Sequence, residues 1–133
     1  MDFSFFAHME RIDKSQSQTR LYEEFIELCM VAEKGGFSTI WNGEHHGMNF
    51  TIAPNPFTNL VDLSHRTNSI KLGTATIVAP FWHPIKLAEE TAMADIITKV
   101  DYNLAWLGVH TPLNTIGWLM GLILLMLVVH FEK

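Results

Sequence analysis

Two hydrophobic rhythms alternate along residues 1–99. Short apolar runs rich in Phe, Ile, Val and Thr, "DFSFFAHM", "STIWNGE" and "SIKLGTATIVAP", are bounded by polar or Gly/Pro segments, as buried strands are. Between them the spacing turns helical. In "RLYEEFIELCMVAEKGG" the positions Leu21, Phe25, Leu28, Cys29 and Ala32 share one face, while Glu23, Glu24, Glu27 and Lys34 fall largely opposite. Gly35 and Gly36 supply the stop, because a left-handed position after a helix favours glycine. "FTNLVDLSHRT" predicts a second helix, with Leu60, Val61 and Leu63 apolar. "HPIKLAEETAMADIIT" predicts a third, with Pro84 suited to the first turn. Strand, helix, strand, helix, strand, helix is the order of a parallel sheet with crossover helices. Spacing alone does not separate a closed barrel from an open doubly wound sheet. In either, functional side chains gather just past the C-terminal ends of the strands. Those ends are His8, the Glu44–His45–His46 stretch, and Thr74 to His83.

"GEHHG" at Gly43–Gly47 is the sharpest chemical feature. Glu44 is placed to accept an imidazole N–H, and His45 or His46 could then act as general acid/base near neutral pH. A metal reading of Glu44, His45 and His46 needs three or four converging ligands, and adjacent histidines point apart. The structural alternative, one histidine solvated and the other packed, stays open at this level. His83 in "PFWHP" reads equally as a turn residue, and His65 as a solvated helix residue. There is no GxGxxG, P-loop, GxSxG or CxxC, so nucleotide, hydrolase and dithiol readings lack support.

Composition then divides the chain. A net charge of -5 without a basic, aromatic-laced patch argues against a nucleic-acid partner. Cys29 is the only cysteine, which excludes an internal disulfide and fits a reducing cytoplasm. The N-terminus has no basic stretch before its apolar run and so does not read as a signal peptide. From Tyr102 to Phe131 there is no Asp, Glu, Lys or Arg. Residues 1–98 therefore read as one unit and 99–133 as an apolar, helical tail.

The segments "AEKGGFSTIWNGEHH", "APNPF", "IKLGTATIVAPFWHPIKLAEE" and "MADIIT", in this order and spacing, resemble the luciferase-like flavin-dependent monooxygenases. "FFAHMER" and "GEHHGMNFTIAPNPF" are nearest in wording to limonene-type members. The resemblance spans residues 1 to about 99. It implies an α/β fold, here the N-terminal part (about three β/α units) of a TIM (β/α)8 barrel. It also implies reduced FMN delivered by a separate flavin reductase, O2 as co-substrate, a small organic substrate, and frequent dimerisation. His45 matches the family's catalytic histidine, with Glu44 beside it. Ala75 and Thr76 match a non-prolyl cis peptide under the flavin ring, and His83 lies at the same mouth. No resident metal is implied. A chain with so few strands and no recognisable phosphate loops is expected to be inactive alone.

The tail has two readings. As a membrane anchor over residues 104–131 it makes the chain a tethered, non-enzymatic scaffold or interaction subunit. Its uncharged core within 116–131 is short of the roughly 20 apolar residues that spanning needs, and it lacks a basic flank. As a shifted reading frame, the codons from Lys99 onward, regrouped by one base, permit G-R-L-Q-F-G-V-A-R-G-A-Y-P-F-E-Y-D-R-L, which has the wording of the family's fourth strand and the turn after it. Asp101–Tyr102 then gives Leu for either Asp codon, and Trp106–Leu107 gives only Ala or Val. The coding DNA tests this: a monooxygenase frame is expected to resume just after Thr98, and early stops in the shifted frame would overturn the reading.

Overall fold

The computed structural model describes residues 1–47, 49 and 51–98, and the backbone alone of 102–107. The elements in order are β1 (Ser4–Ala7), α1 (Gln18–Lys34), β2 (Thr39–Asn42), α2 (Pro56–Ser64), β3 (Lys71–Val78), a 3-10 turn (Ala79–Phe81), α3 (Pro84–Thr98) and β4 (Tyr102–Leu107). The four strands form one parallel sheet in the order β1-β2-β3-β4. Sequential order with the helices packed on one face is the arrangement of a β/α barrel. A doubly wound sheet reverses its strand order and carries helices on both faces.

Local chemistry accounts for the helix boundaries. Ser17 caps α1 by accepting the Arg20 N–H at 3.1 Å, and Gly36, at φ +80°, turns the chain out after Lys34. Asn55 caps α2 through the Phe57 N–H at 3.0 Å, with Pro56 in the first turn. This helix stops at Ser64, with His65 as its C-cap donating its Nδ1–H to the Val61 carbonyl at 2.8 Å. The buried side of α1 is Leu21, Phe25, Ile26, Cys29 and Ala32. Leu28, expected on that side, is exposed, as is Val31, while Ile26 takes an inward place. The helix rolls toward α2, where the Tyr22 hydroxyl donates to Asp62 at 3.0 Å.

Strand alternation divides the sheet. Phe5 and Ala7 of β1, Ile40 of β2 and Leu72 of β3 join Leu21, Phe25, Cys29, Leu60 and Leu63 in the core beneath α1 and α2. Asn42 lies on the same side. It is buried, donates to the Ala7 carbonyl at 3.3 Å and accepts from Asn59 of α2 at 2.9 Å. In β3 the register slips between Thr74 and Ile77. Ala75 and Thr76 there oppose a single residue of β4, which is a bulge. The extra residue resets the alternation. Leu72 and Thr74 face the helices before it, and Ile77 joins Phe57, Leu87 and Ala94 in a second core after it.

β4 corrects one expectation. Tyr102–Leu107 was assigned to a helical tail, yet it runs parallel to β3. The run "YNLAWL" contains good strand formers, and the open edge of β3 offers unpaired N–H and C=O groups to any such segment. Residues 104–107, the start of the anchor reading, lie in this strand. The rest of the tail, 108–133, including the apolar stretch 116–131, is outside the described residues. Among the described residues no helix is long and apolar enough to cross a membrane.

At the opposite end of the sheet from the site, Glu33 stitches α1 to the turn before β3. One of its carboxylate oxygens accepts the backbone N–H groups of Asn68, Ser69 and Ile70 at 2.8, 2.7 and 3.1 Å. Burial pushes this carboxyl up, but the three donors outweigh it and hold its pKa below the usual glutamate value of 4.5. A depressed carboxyl stabilises the fold above its unfolded pKa and loses that contribution as pH falls through the folded one. Glu33→Ala is expected to cost about 1–2 kcal/mol at pH 7, discounted for exposure, with the difference from the parent shrinking below about pH 4.5. Urea unfolding of both proteins at pH 7 and pH 3.5 measures it.

Candidate functional site

The loops that leave β1, β2 and β3 meet at the C-terminal end of the sheet. An isolated antiparallel bridge of Glu10 with Thr51 ties the β1 and β2 loops together, and a second, His45 with Ala53, folds the β2 loop onto itself. The Arg11 guanidinium reinforces them, donating to Asn49 at 2.8 Å and to the carbonyls of Lys14 and Gln16 at 2.7 and 2.8 Å.

Glu44 sits at the centre. Its side chain is 0% exposed. It accepts from the His46 ring, from the Trp82 indole N–H at 2.9 Å to both oxygens, and from the Val78 N–H at 2.8 Å. Its own backbone N–H donates to the Thr76 carbonyl at 3.2 Å. One buried carboxylate thus fastens the end of β2 to the end of β3 and the 3-10 turn. The sequence suggested that Glu44 orients an imidazole. It does so for His46, whose ring also lies edge-on to Phe81 with centroids 5.2 Å apart.

His45 points elsewhere. Its backbone N–H donates to the Ala53 carbonyl at 2.9 Å, and its ring faces His8, 5.4 Å away between centroids. His8 in turn stacks edge-on with Phe6 at 4.3 Å. Gly43 makes this packing possible. A Cβ there would lie 3.1 Å from the Ala75 carbonyl oxygen and 3.4 Å from His45 Nε2, so a side chain would wedge β2 away from β3. Partial burial, followed by the nearby His8 and His46 rings, lowers the His45 pKa from its usual 6.5, against weaker opposition from Glu10 and Glu44. This shift favours the neutral imidazole, the form that can accept a proton.

The Ala75–Thr76 peptide bond is cis and lies in the β3 bulge, alongside Gly43 and Glu44. His45, Glu44, Ala75 and Thr76 are thus brought together. His83 stands apart. It is exposed, its carbonyl accepts the Leu87 N–H at 3.0 Å as α3 begins, and among the described residues no hydrogen bond joins its ring to the Glu44 group. Sequence reasoning missed Trp82, which anchors the β3 loop, and the Asn42–Asn59 pair beneath the site. "PFWHP" drew attention to its histidine, although a loop tryptophan whose indole N–H needs an acceptor is itself a signal. Among the described residues no three His, Cys, Asp or Glu side chains are grouped to hold a metal, and the divergence of His45 and His46 is the reason.

Glu44→Gln keeps the volume but places an NH2 donor among donors. It is expected to cost about 2–4 kcal/mol, because a buried acceptor for several N–H groups is lost. Chemical denaturation followed by circular dichroism checks the loss, and the Trp82 indole N–H resonance should shift upfield.

Comparison with known proteins agrees with this architecture. The family model described as luciferase-like monooxygenase matches residues 1–99. The chain is 62% identical over 99 residues to the oxygenase component of the flavin-dependent trigonelline monooxygenase of Acinetobacter baylyi, covering 74% of this chain and 28% of that protein. It is 29% identical over 100 residues to limonene 1,2-monooxygenase of Rhodococcus erythropolis, covering 74% of this chain and 25% of that one. The limonene-like wording therefore belongs to a more distant relative than the trigonelline enzyme. Monooxygenase RslO1 from Streptomyces bottropensis superposes with a TM-score of 0.74 at 25% identity, over 89% of this chain and 36% of its own. The oxygenating constituent of 3,6-diketocamphane monooxygenase from Pseudomonas putida, in complex with FMN, shares the fold, with a TM-score of 0.76 at 17% identity over 94% of this chain and 38% of its own. The chain thus spans well under half the length of these relatives, and it belongs to the luciferase-like monooxygenase family.

Proposed function

We propose that this chain carries the flavin-ring end of a two-component monooxygenase site, with FMN as cofactor, a separate flavin reductase as partner and O2 as co-substrate. The supporting observation is the convergence of the Ala75 carbonyl oxygen, next to the cis Ala75–Thr76 bond, and His45 Nε2 on the space a Cβ of Gly43 would occupy, at the joined ends of β2 and β3. Reduced FMN, when bound, supplies the electrons that activate O2 for oxygenation of the substrate. His45 is the acid/base: as the neutral imidazole, it takes a proton from a donor at the site and returns it. Glu44 holds the two loops that frame this position and touches neither ring nor substrate. Ala75 and Thr76 would help hold the flavin ring through their backbone, and His83 would stand nearer the solvent. The 62% identity to the trigonelline enzyme makes trigonelline the first substrate to test, and a cytoplasmic site of action fits that assignment.

The residues present suit the ring portion of FMN better than its phosphate. The ring face has aromatic neighbours in Phe6, His8 and His45. The described cation nearest this end in sequence, Arg11, is already engaged by two carbonyls and Asn49. A ring seat without a phosphate cradle discriminates little between FMN and lumiflavin. Equilibrium titration of the 133-residue chain should therefore give weak and comparable affinities for the two, with resonances of His45, Ala75 and Thr76 perturbed by either. Tight stoichiometric FMN binding would overturn the missing cradle, and unperturbed resonances at saturating lumiflavin would overturn the ring seat. With a flavin reductase, the 133-residue chain alone is expected to leave trigonelline unconsumed.

A further inference from the structure

His8 has no assigned part in the chemistry described so far, yet its position gives it one. In β1, Phe5 and Ala7 turn toward the helices, and Phe6 faces the other side of the sheet. His8, one residue beyond the strand, packs on Phe6 rather than on the helix core, so it continues that inner face to the mouth. There its ring is 5.4 Å from the His45 ring, tilted by 44°. At that separation one bridging water can link the two rings. The two imidazoles differ in surroundings. His45 is half-buried under the Ala53 bridge, and His8 is exposed.

We propose that His8 is the proton-exchange partner of His45: the two rings share one excess proton, and it passes between His45 and solvent through His8. The step balances simply. Once His45 has taken up a proton and become imidazolium, it gives one ring proton across a bridging water to the unprotonated nitrogen of His8, and His8 releases a proton from its other nitrogen to bulk water, leaving both rings neutral. Reprotonation of His45 runs in reverse. Two excess protons, which would make both rings cationic, are disfavoured by like-charge repulsion at this distance. The other ionisable groups facing His45 are Glu10 from the β1 loop, and Glu44 and His46 from its own loop. Glu44 and His46 bond to each other, which leaves His8 as the ring that His45 faces. Phe6 closes one side of His8 and limits the exchange to its outer edge. The inference rests on His45 being the site's acid/base, but the pairing itself needs no flavin.

Nitrogen-detected NMR titration of the histidine rings tests it in the 133-residue chain. The variants are His8→Gln, His45→Gln and His8→Lys. His8 is exposed, so its replacement should leave the far-ultraviolet circular dichroism unchanged. Removing the His8 ring is expected to raise the titration midpoint of His45, because a charge that opposes its protonation is gone, and His45→Gln assigns the ring resonances. The lysine keeps a positive charge without a group that exchanges protons near neutrality, so His45 should retain its low midpoint. In both His8 variants, exchange of the His45 ring proton with water should slow by roughly tenfold or more. Midpoints that do not move would overturn the pairing. Coupled midpoints with unchanged exchange would overturn the relay. A His45–His8 coupling that persists while lumiflavin perturbs nothing would refute the ring seat and leave the pair standing.

Discussion

A single buried carboxylate decides the shape of this site. Glu44, fully buried, accepts from a backbone amide at the end of β3, from an indole beyond the 3-10 turn and from a neighbouring imidazole. A carboxylate removed from solvent is costly unless donors meet its lone pairs, so these donors are fixed together. The consequence reaches past Glu44. With Val78 and Trp82 tied to the end of β2, the Ala75–Thr76 bulge lies against Gly43, and His45 is turned away from Glu44 toward β1. Three loops that are separate in sequence become one rigid frame at one end of the sheet.

The layer beneath supplies the support. Asn42 and Asn59 form a polar contact inside the otherwise apolar interface of β2 with α2, and Asn55 both caps α2 and donates to Glu90 of α3 at 2.8 Å. These bonds fix helix positions that hydrophobic packing alone would leave free to slide. The β3 bulge does related work. By adding one residue it lets Leu72 and Ile77 both face the helices, although an uninterrupted strand would put them on opposite sides. The bulge therefore serves the core and the site at once.

The legibility of the site varied with the range of the interaction. "GEHHG" was visible because its residues are adjacent, and the carboxylate–imidazole bond between Glu44 and His46 spans only two positions. The contact between His8 and His45 was not legible. It depends on β1 and β2 lying side by side in register, Ala7 beside Asn42. Trp82 and Val78 were missed for the same reason, being more than thirty positions from Glu44 in the chain. Leu28 was misplaced because helical spacing defines an apolar stripe but not how far the helix rolls on its neighbours.

The order of strands and helices over residues 1–98 and the stop at Gly35 and Gly36 follow from the sequence itself. They rest on local propensity and on hydrogen bonds within a turn or two. Sequential strand order, and with it a barrel-type sheet, was decided only in three dimensions, as were the β3 bulge and the place of Tyr102–Leu107 as a fourth strand. Each depends on which backbone edges find partners, and a strand edge carries no side-chain signature of the neighbour that will satisfy it.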